Sequence, residues 1–111
     1  MIVAILPDAS QTESLLNNLS EADFNLNDVS VIMQDAKVRN AIAKDTGPLK
    51  NVASKQVAGE LRKVGLSQPA ADRCQLAIEA GHVLVVMDVA KQYLAAAQEM
   101  FQDHSAQFIK D

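Results

Sequence analysis

Residues 77–87, Ala77-Ile-Glu-Ala-Gly-His-Val-Leu-Val-Val-Met87, carry the strongest structural signal in this chain. A helical pattern stops at Gly81, and five apolar residues follow without a break. A second unbroken apolar run, Ile2-Val-Ala-Ile-Leu6, lies at the start of the sequence. Because side chains along a strand point alternately to the two faces of a sheet, such strands are buried on both faces. The sequence therefore predicts a small sheet covered on both sides by helices or by a partner.

Length and composition are those of one globular domain over residues 1–111, with 49% hydrophobic residues. A net charge of −4, spread along the chain, argues against nucleic-acid binding and against binding to an anionic membrane surface. The single cysteine allows no internal disulfide, and no apolar run reaches the roughly 20 residues that cross a bilayer. Met1 leads straight into a strand, which leaves no room for a secretory signal. We expect a cytoplasmic protein.

Hydrophobic spacing, capping residues and glycine or proline breaks predict the remaining elements. The predicted strands cover residues 2–6, 29–33 and 83–87, with a final edge strand at 107–110. The first predicted helix follows Asp8 or Ser10, either of which can cap it, and fades near Asp23. A short helix from 36 ends before Gly47-Pro48, and the others run from Val52 or Ala53 to Val64, from the cap Ser67 to Gly81, and from Ala90 to His104 or Ser105. Ser30, the polar residue of the second strand, suggests that this strand has a partly exposed face. Gly81 is expected to adopt positive φ after its helix.

This order of elements predicts an α/β (α+β) fold: a ferredoxin-like βαβ…βαβ plait with an extra helical segment between strands two and three. In the plait, strands one and three are central and antiparallel, which fits the two fully apolar runs. A doubly wound parallel sheet is the alternative, because it also buries its central strands.

The plait leads to an expectation about assembly. Both of its own helices lie on one face of the sheet, so the other face needs the extra segment at 36–65 or a second subunit to cover it. Symmetric dimers are the commonest solution for such a face. We therefore expect a homo-oligomer, a dimer in the first instance.

Several segments are similar to the bacterial general-stress and low-temperature-induced protein domain family. They are residues 65–71, Gly65-Leu-Ser-Gln-Pro-Ala-Ala71, together with 77–87, the opening Val3-Ala-Ile-Leu-Pro-Asp8, and Phe24-Asn-Leu-Asn-Asp-Val-Ser-Val31. The resemblance implies a ferredoxin-like module with a stress association and supplies no catalytic residues. Many family members carry a glycine zipper in the middle, whereas residues 35–64 here are polar with two glycines. The resemblance therefore implies no membrane role for this chain.

One group of residues could form a site. In a plait, Asp8 after strand one, Asp35 after strand two and His82 before strand three share one edge of the sheet. A histidine beside carboxylates could act as a base with raised pKa or as a metal ligand. In the doubly wound sheet the group would instead be Asp8, Asp35 and Asp88. The simpler interpretation is that the two aspartates cap helices and that His82 lies on the surface.

The other reactive side chains favour structural roles. His104 lies near the end of the last helix, where the helix dipole favours a cation. Cys74 falls on the apolar stripe of its helix and is expected to be a small core residue. No histidine or cysteine pair has a metal-binding spacing, and no glycine-rich loop precedes a helix as phosphate binding requires.

The sequence thus favours a non-enzymatic, self-associating α/β protein with a stress association, without a cofactor or bound metal. A small-molecule-binding regulatory or sensor domain is the second hypothesis. A metal-dependent or acid–base site at His82 with Asp8 and Asp35 is the third.

Overall fold

The computed structural model describes residues 1–110, which form four strands and five α-helices. The strands are β1 Ile2–Leu6, β2 Val29–Ile32, β3 Val83–Met87 and β4 Gln107–Phe108. The helices are α1 Ala9–Glu21, α2 Ala36–Ile42, α3 Val57–Lys63, α4 Gln68–Glu79 and α5 Leu94–Asp103. Short 3₁₀ turns occupy residues 26–28, 54–56 and 91–93. None of the helices in this part of the chain has the length and apolar character that spanning a membrane requires.

The sheet is antiparallel throughout, with strand order β2-β3-β1-β4. The two unbroken apolar strands are central, as the sequence predicted, and Leu6 pairs with Val83 in their register. β4 is shorter than the predicted 107–110, although the Ile109 N–H still donates to the Val3 carbonyl at 2.9 Å. The fold is therefore α+β, with the strand order and directions predicted for the plait. The doubly wound parallel alternative is wrong, because β1 and β3 run in opposite directions.

Two apolar layers cover the sheet, one on each face. On the first face, α1 and α5 bury Leu15, Leu19 and Phe101 against alternate strand residues such as Ala4 and Val85. Since α1 links β1 to β2 and α5 links β3 to β4, these are the two helices that the plait itself places on one face.

On the second face, α3 and α4 bury Val57, Leu61 and Ile78 against the other strand residues, including Val3 and Leu84. Both helices belong to the long connection between β2 and β3. The chain thus covers its own second face, and the apolar character of the central strands needs no second subunit. Of the two covers that the sequence allowed for this face, the chain's own helices are the one present, and the expected dimer stays a prediction.

Hydroxyl groups fasten the loop between α2 and α3 to β2. The Ser30 Oγ donates to the Thr46 carbonyl at 2.7 Å and accepts from the Leu49 N–H at 2.8 Å. The Thr46 Oγ1 donates in turn to the Val29 carbonyl at 2.8 Å. Ser30 is only 2% exposed, so the prediction that it marks a partly exposed face is wrong. A buried hydroxyl is stable here because the loop satisfies it.

Gly47 brings this loop against the backbone of β2. Its φ is +80°, and a Cβ placed there would lie 2.6 Å from the Val29 carbonyl carbon and 2.7 Å from the Ser30 nitrogen. Real Cβ atoms do not approach backbone so closely. The loop can dock at this point only with glycine, which both permits positive φ and lacks a Cβ.

We predict that Gly47→Ala destabilises the fold by about 3–5 kcal/mol, because a backbone clash adds to the strain of positive φ. Gly81→Ala is the matched control. Gly81 has the predicted positive φ, +93°, but its Cβ would meet no atom within 4 Å. Strain alone is expected to cost roughly 1–2 kcal/mol at that position. Urea unfolding of both variants tests the difference, and equal midpoints would contradict the proposed clash.

Candidate functional site

Asp8 and Asp35 both cap the helix that follows them. The Asp8 Oδ1 accepts from the Gln11 N–H at 2.8 Å at the start of α1. The Asp35 Oδ1 accepts from the Lys37 N–H at 3.0 Å and the Val38 N–H at 3.1 Å at the start of α2. This confirms the capping interpretation for both aspartates. Each carboxylate is held by backbone N–H groups of its own helix.

His82 lies at the same end of the sheet, since it precedes Val83, the partner of Leu6. Its exposed ring makes no hydrogen bond or ion pair with any described residue. The ring lines a cavity of about 270 Å³ to which Arg73 contributes and neither aspartate does. Over residues 1–110, no group of three or more His, Cys, Asp and Glu side chains is arranged to hold a metal ion. A shared site of the three residues stays a prediction.

The alternative group with Asp88 depends on the parallel sheet and is wrong with it. Asp88 follows Met87, which pairs with Ile2 at the start of β1. Its N–H donates to the Asp28 carbonyl at 3.0 Å. Antiparallel pairing therefore places Asp88 at the end of the sheet opposite Asp8.

We predict that Asp8→Ala lowers the free energy of unfolding by about 1 kcal/mol, the usual cost of losing an N-cap side chain. Ser10→Ala is the control, because Ser10 is exposed and lies inside the first turn of α1, where it does not cap the helix. Its replacement should change stability by no more than about 0.5 kcal/mol. Thermal or urea denaturation compares the two, and a larger loss for Ser10→Ala would refute the assignment of the cap.

His104 joins α5 to α1 through both ring nitrogens. Nε2 lies 2.7 Å from the Asn18 Nδ2, and Nδ1 lies 3.1 Å from the Gln11 Oε1. Donation by Nδ1–H to Gln11 and acceptance by Nε2 from Asn18 satisfy both contacts with one neutral tautomer. The ring thus has a structural role at the end of its helix, through side-chain partners that the sequence did not indicate.

Cys74 is fully buried in the second apolar layer, as the sequence predicted. Burial raises the pKa of its thiol from 9.0 to about 11, although the charge of Arg73 opposes the shift. A nucleophilic cysteine needs the opposite: an accessible thiol with a lowered pKa. Cys74 therefore has the properties of an inert core residue.

The raised pKa of Cys74 predicts a loss of stability in alkali. The folded protein keeps a proton that the unfolded chain releases, so this stabilising contribution is complete below pH 9.0 and is lost as the pH rises towards about 11. Urea midpoints should fall more steeply over this range for the natural protein than for Cys74→Ala. The variant leaves a small cavity at every pH, so only the difference in slope matters. Parallel slopes would contradict the prediction.

The free edge of β2 carries a feature that sequence reasoning missed. A groove of about 220 Å³, called here the edge groove, runs beside Val31, Ile32 and Met33. One wall is formed by α2, and the other by the loop over residues 45–54. The only signal in the sequence was the second strand's position at the edge of the predicted plait.

The hydrogen-bond pattern of the sheet shows which β2 groups face this groove. The Asp88 N–H donates to the Asp28 carbonyl, so even-numbered residues of this strand bond to β3. In an antiparallel ladder the alternate residues then point their N–H and C=O away. The outward carbonyl of Val29 accepts from Thr46. The outward N–H and C=O of Val31 have no hydrogen-bond partner among residues 1–110.

An ion pair spans the two walls of the edge groove. The Arg39 Nη1 lies 3.8 Å from the Asp45 Oδ1, with side chains 22% and 40% exposed. Asp45 also accepts from the Asn51 N–H, at 3.0 Å to one oxygen and 3.2 Å to the other. Because exposed pairs contribute only about 0–1 kcal/mol, this one can open at little cost.

Comparison of the chain with family models, with curated proteins and with solved structures found no match in any of the three.

Proposed function

We propose that this protein is a non-enzymatic module that self-associates by pairing the β2 edges of two copies. The observation that carries this proposal is the unpaired N–H and C=O of Val31 on the outward side of β2, an edge strand that borders the edge groove. Such groups are a template for a further strand, because main-chain hydrogen bonds give affinity to any chain that can align with them.

The geometry of the edge favours a second copy as the occupant. Val31 offers one donor and one acceptor on the same side. A two-fold axis between two such residues lets each N–H donate to the other's C=O, which is the hydrogen-bonded pair of an antiparallel ladder. The result is a continuous eight-stranded sheet with the same surface used by both copies.

The charges beside the edge are also self-complementary. Arg39 and Asp45 flank the groove in each copy, so a two-fold axis at Val31 brings opposite charges of the two copies near each other. The Arg39–Asp45 pair within each copy opens at low cost. It can thus be replaced by Arg39–Asp45 pairs between the two copies. Thr46 already occupies the Val29 carbonyl, which keeps the shared ladder short. We therefore expect a weak, concentration-dependent dimer.

Three further parts of the proposal come from the sequence. The family resemblance supports a ferredoxin-like module with a stress association, and the strand order β2-β3-β1-β4 is consistent with it. A cytoplasmic location is supported by the lone, buried and unpaired Cys74. A non-enzymatic role is supported by the capping contacts of Asp8 and Asp35 and by the inert thiol.

Sedimentation velocity over a wide concentration range, combined with hydrogen exchange read by NMR, tests the proposed dimer. Sedimentation should shift from monomer to dimer as concentration rises. The Val31 amide should gain protection over the same range. The Ser30 and Ile32 amides are the internal control, because they bond to β3 and should be protected at every concentration.

Met33→Pro is the variant that separates this interface from any other. The proline ring obstructs a second strand beside Val31 and leaves the bonds to β3 intact, because position 33 points its N–H away from β3. We expect it to weaken the dimer, whereas Met33→Leu should preserve it. A monomer at every concentration, or a dimer that is indifferent to Met33→Pro with an unprotected Val31 amide, would exclude β2 pairing.

A further inference from the structure

We propose that the cavity beside His82 binds a small anion bearing a carboxylate or phosphate group. This site, called here the basic cavity, has a volume of about 270 Å³. It lies between α4, the end of β1 and the segment at residues 105–109. The sheet order places it on the β1–β4 side, away from the β2 edge, so it is independent of the proposed dimer.

The charge of the lining is the first argument. Arg73 and His82 are the only ionisable side chains among the residues that line the basic cavity, and both can be cationic. No carboxylate lines it, although the protein has 14 acidic against 10 basic residues. A local concentration of basic groups in an acidic protein favours an anion at this place.

The second argument is that suitable hydrogen-bond donors are available. Arg73 is held in place by a bond from its Nη2 to the Lys110 carbonyl at 2.8 Å. A guanidinium has five N–H donors in a rigid fork, so this bond leaves others for a ligand. The His82 ring uses neither nitrogen in bonds to described residues. Gln107 and Ser105 add polar groups to the lining of the cavity.

Size and shape limit the class of ligand. Pockets for drug-sized molecules usually measure about 300–1,000 Å³, so this cavity suits an ion or a short acid rather than a nucleotide. Its floor includes apolar residues of β1, Ile5 and Leu6, and Phe108 of β4. An anion there is contacted by cations on one side and by apolar surface beneath, which strengthens charge-assisted bonds.

The test is an NMR titration of the full chain with inorganic phosphate and, in a separate arm, with acetate. Sodium chloride at matched ionic strength is the reference for screening. We expect saturable shifts of the His82 ring signals in the millimolar range. Tighter binding of phosphate would indicate a phosphate ligand, and tighter binding of acetate a carboxylate. Shifts that only follow ionic strength would overturn the proposal.

Charge-removing variants identify the residues responsible. Arg73→Gln should weaken binding by at least about tenfold, the effect of losing a hydrogen bond to a charged group. His82→Gln should also weaken binding, because it removes one of the two basic side chains that line the cavity. Arg62→Gln is the control: it removes one positive charge from an exposed position of α3 and should leave the affinity for the anion unchanged. Denaturation midpoints establish that each variant is folded. Equal affinities for all three variants would also refute the site.

Discussion

Two central strands without a polar residue impose the constraint on which the rest of the structure depends. Side chains from β1 and β3 leave the sheet on both faces, and every residue of both strands is buried. Each face therefore needs its own apolar cover. The plait helices α1 and α5 cover one face, and the long connection between β2 and β3 returns over the other as α3 and α4. The structural role of the inserted segment is to bury that second face.

Because both faces of the sheet are covered by the chain's own helices, its edges are where a partner could pair with it. β4 is two residues long and offers little for pairing. β2 is longer, and its two halves differ. The loop at Thr46 and Gly47 packs against its beginning, whereas the outward N–H and C=O of Val31 have no partner among residues 1–110 and border the groove that the Arg39–Asp45 pair spans. A strand edge left in this state is either a protected liability or a binding surface. The self-complementary donor, acceptor and charges at this edge favour the latter.

The polar residues at the His82 end of the sheet have separate tasks. Backbone N–H groups at two helix starts donate to the carboxylates of Asp8 and Asp35, so both aspartates act as helix caps. What remains beside His82 is Arg73, and the local charge is positive. The anion site that we propose uses this position, for which the sequence suggested a histidine flanked by carboxylates. Arg73 lines the same cavity as His82 because α4, which carries Arg73, packs on the sheet at this end.

Much of the fold was available from the sequence by itself. The apolar runs determined which strands are central, and capping residues and Gly81 located the starts of α1, α2 and α4 and the end of α4. Other helix ends were not located by such signals: α2 ends at Ile42, well before Gly47, and α3 begins at Val57 rather than near residue 52. These signals are local, because propensity, periodicity and capping act within a few residues. Even the buried role of Cys74 followed from its place on a helical stripe.

Only the tertiary structure decided how the second face is covered, what satisfies Ser30, and which side chains meet at His82. Each depends on residues far apart in the chain: α3 and α4 on the sheet, Thr46 on β2, and Arg73 beside His82. Periodicity shows that a residue is buried or capped but does not name its distant partner. A serine in an apolar strand fits a solvated face as well as a docked loop, and packing alone distinguishes the two.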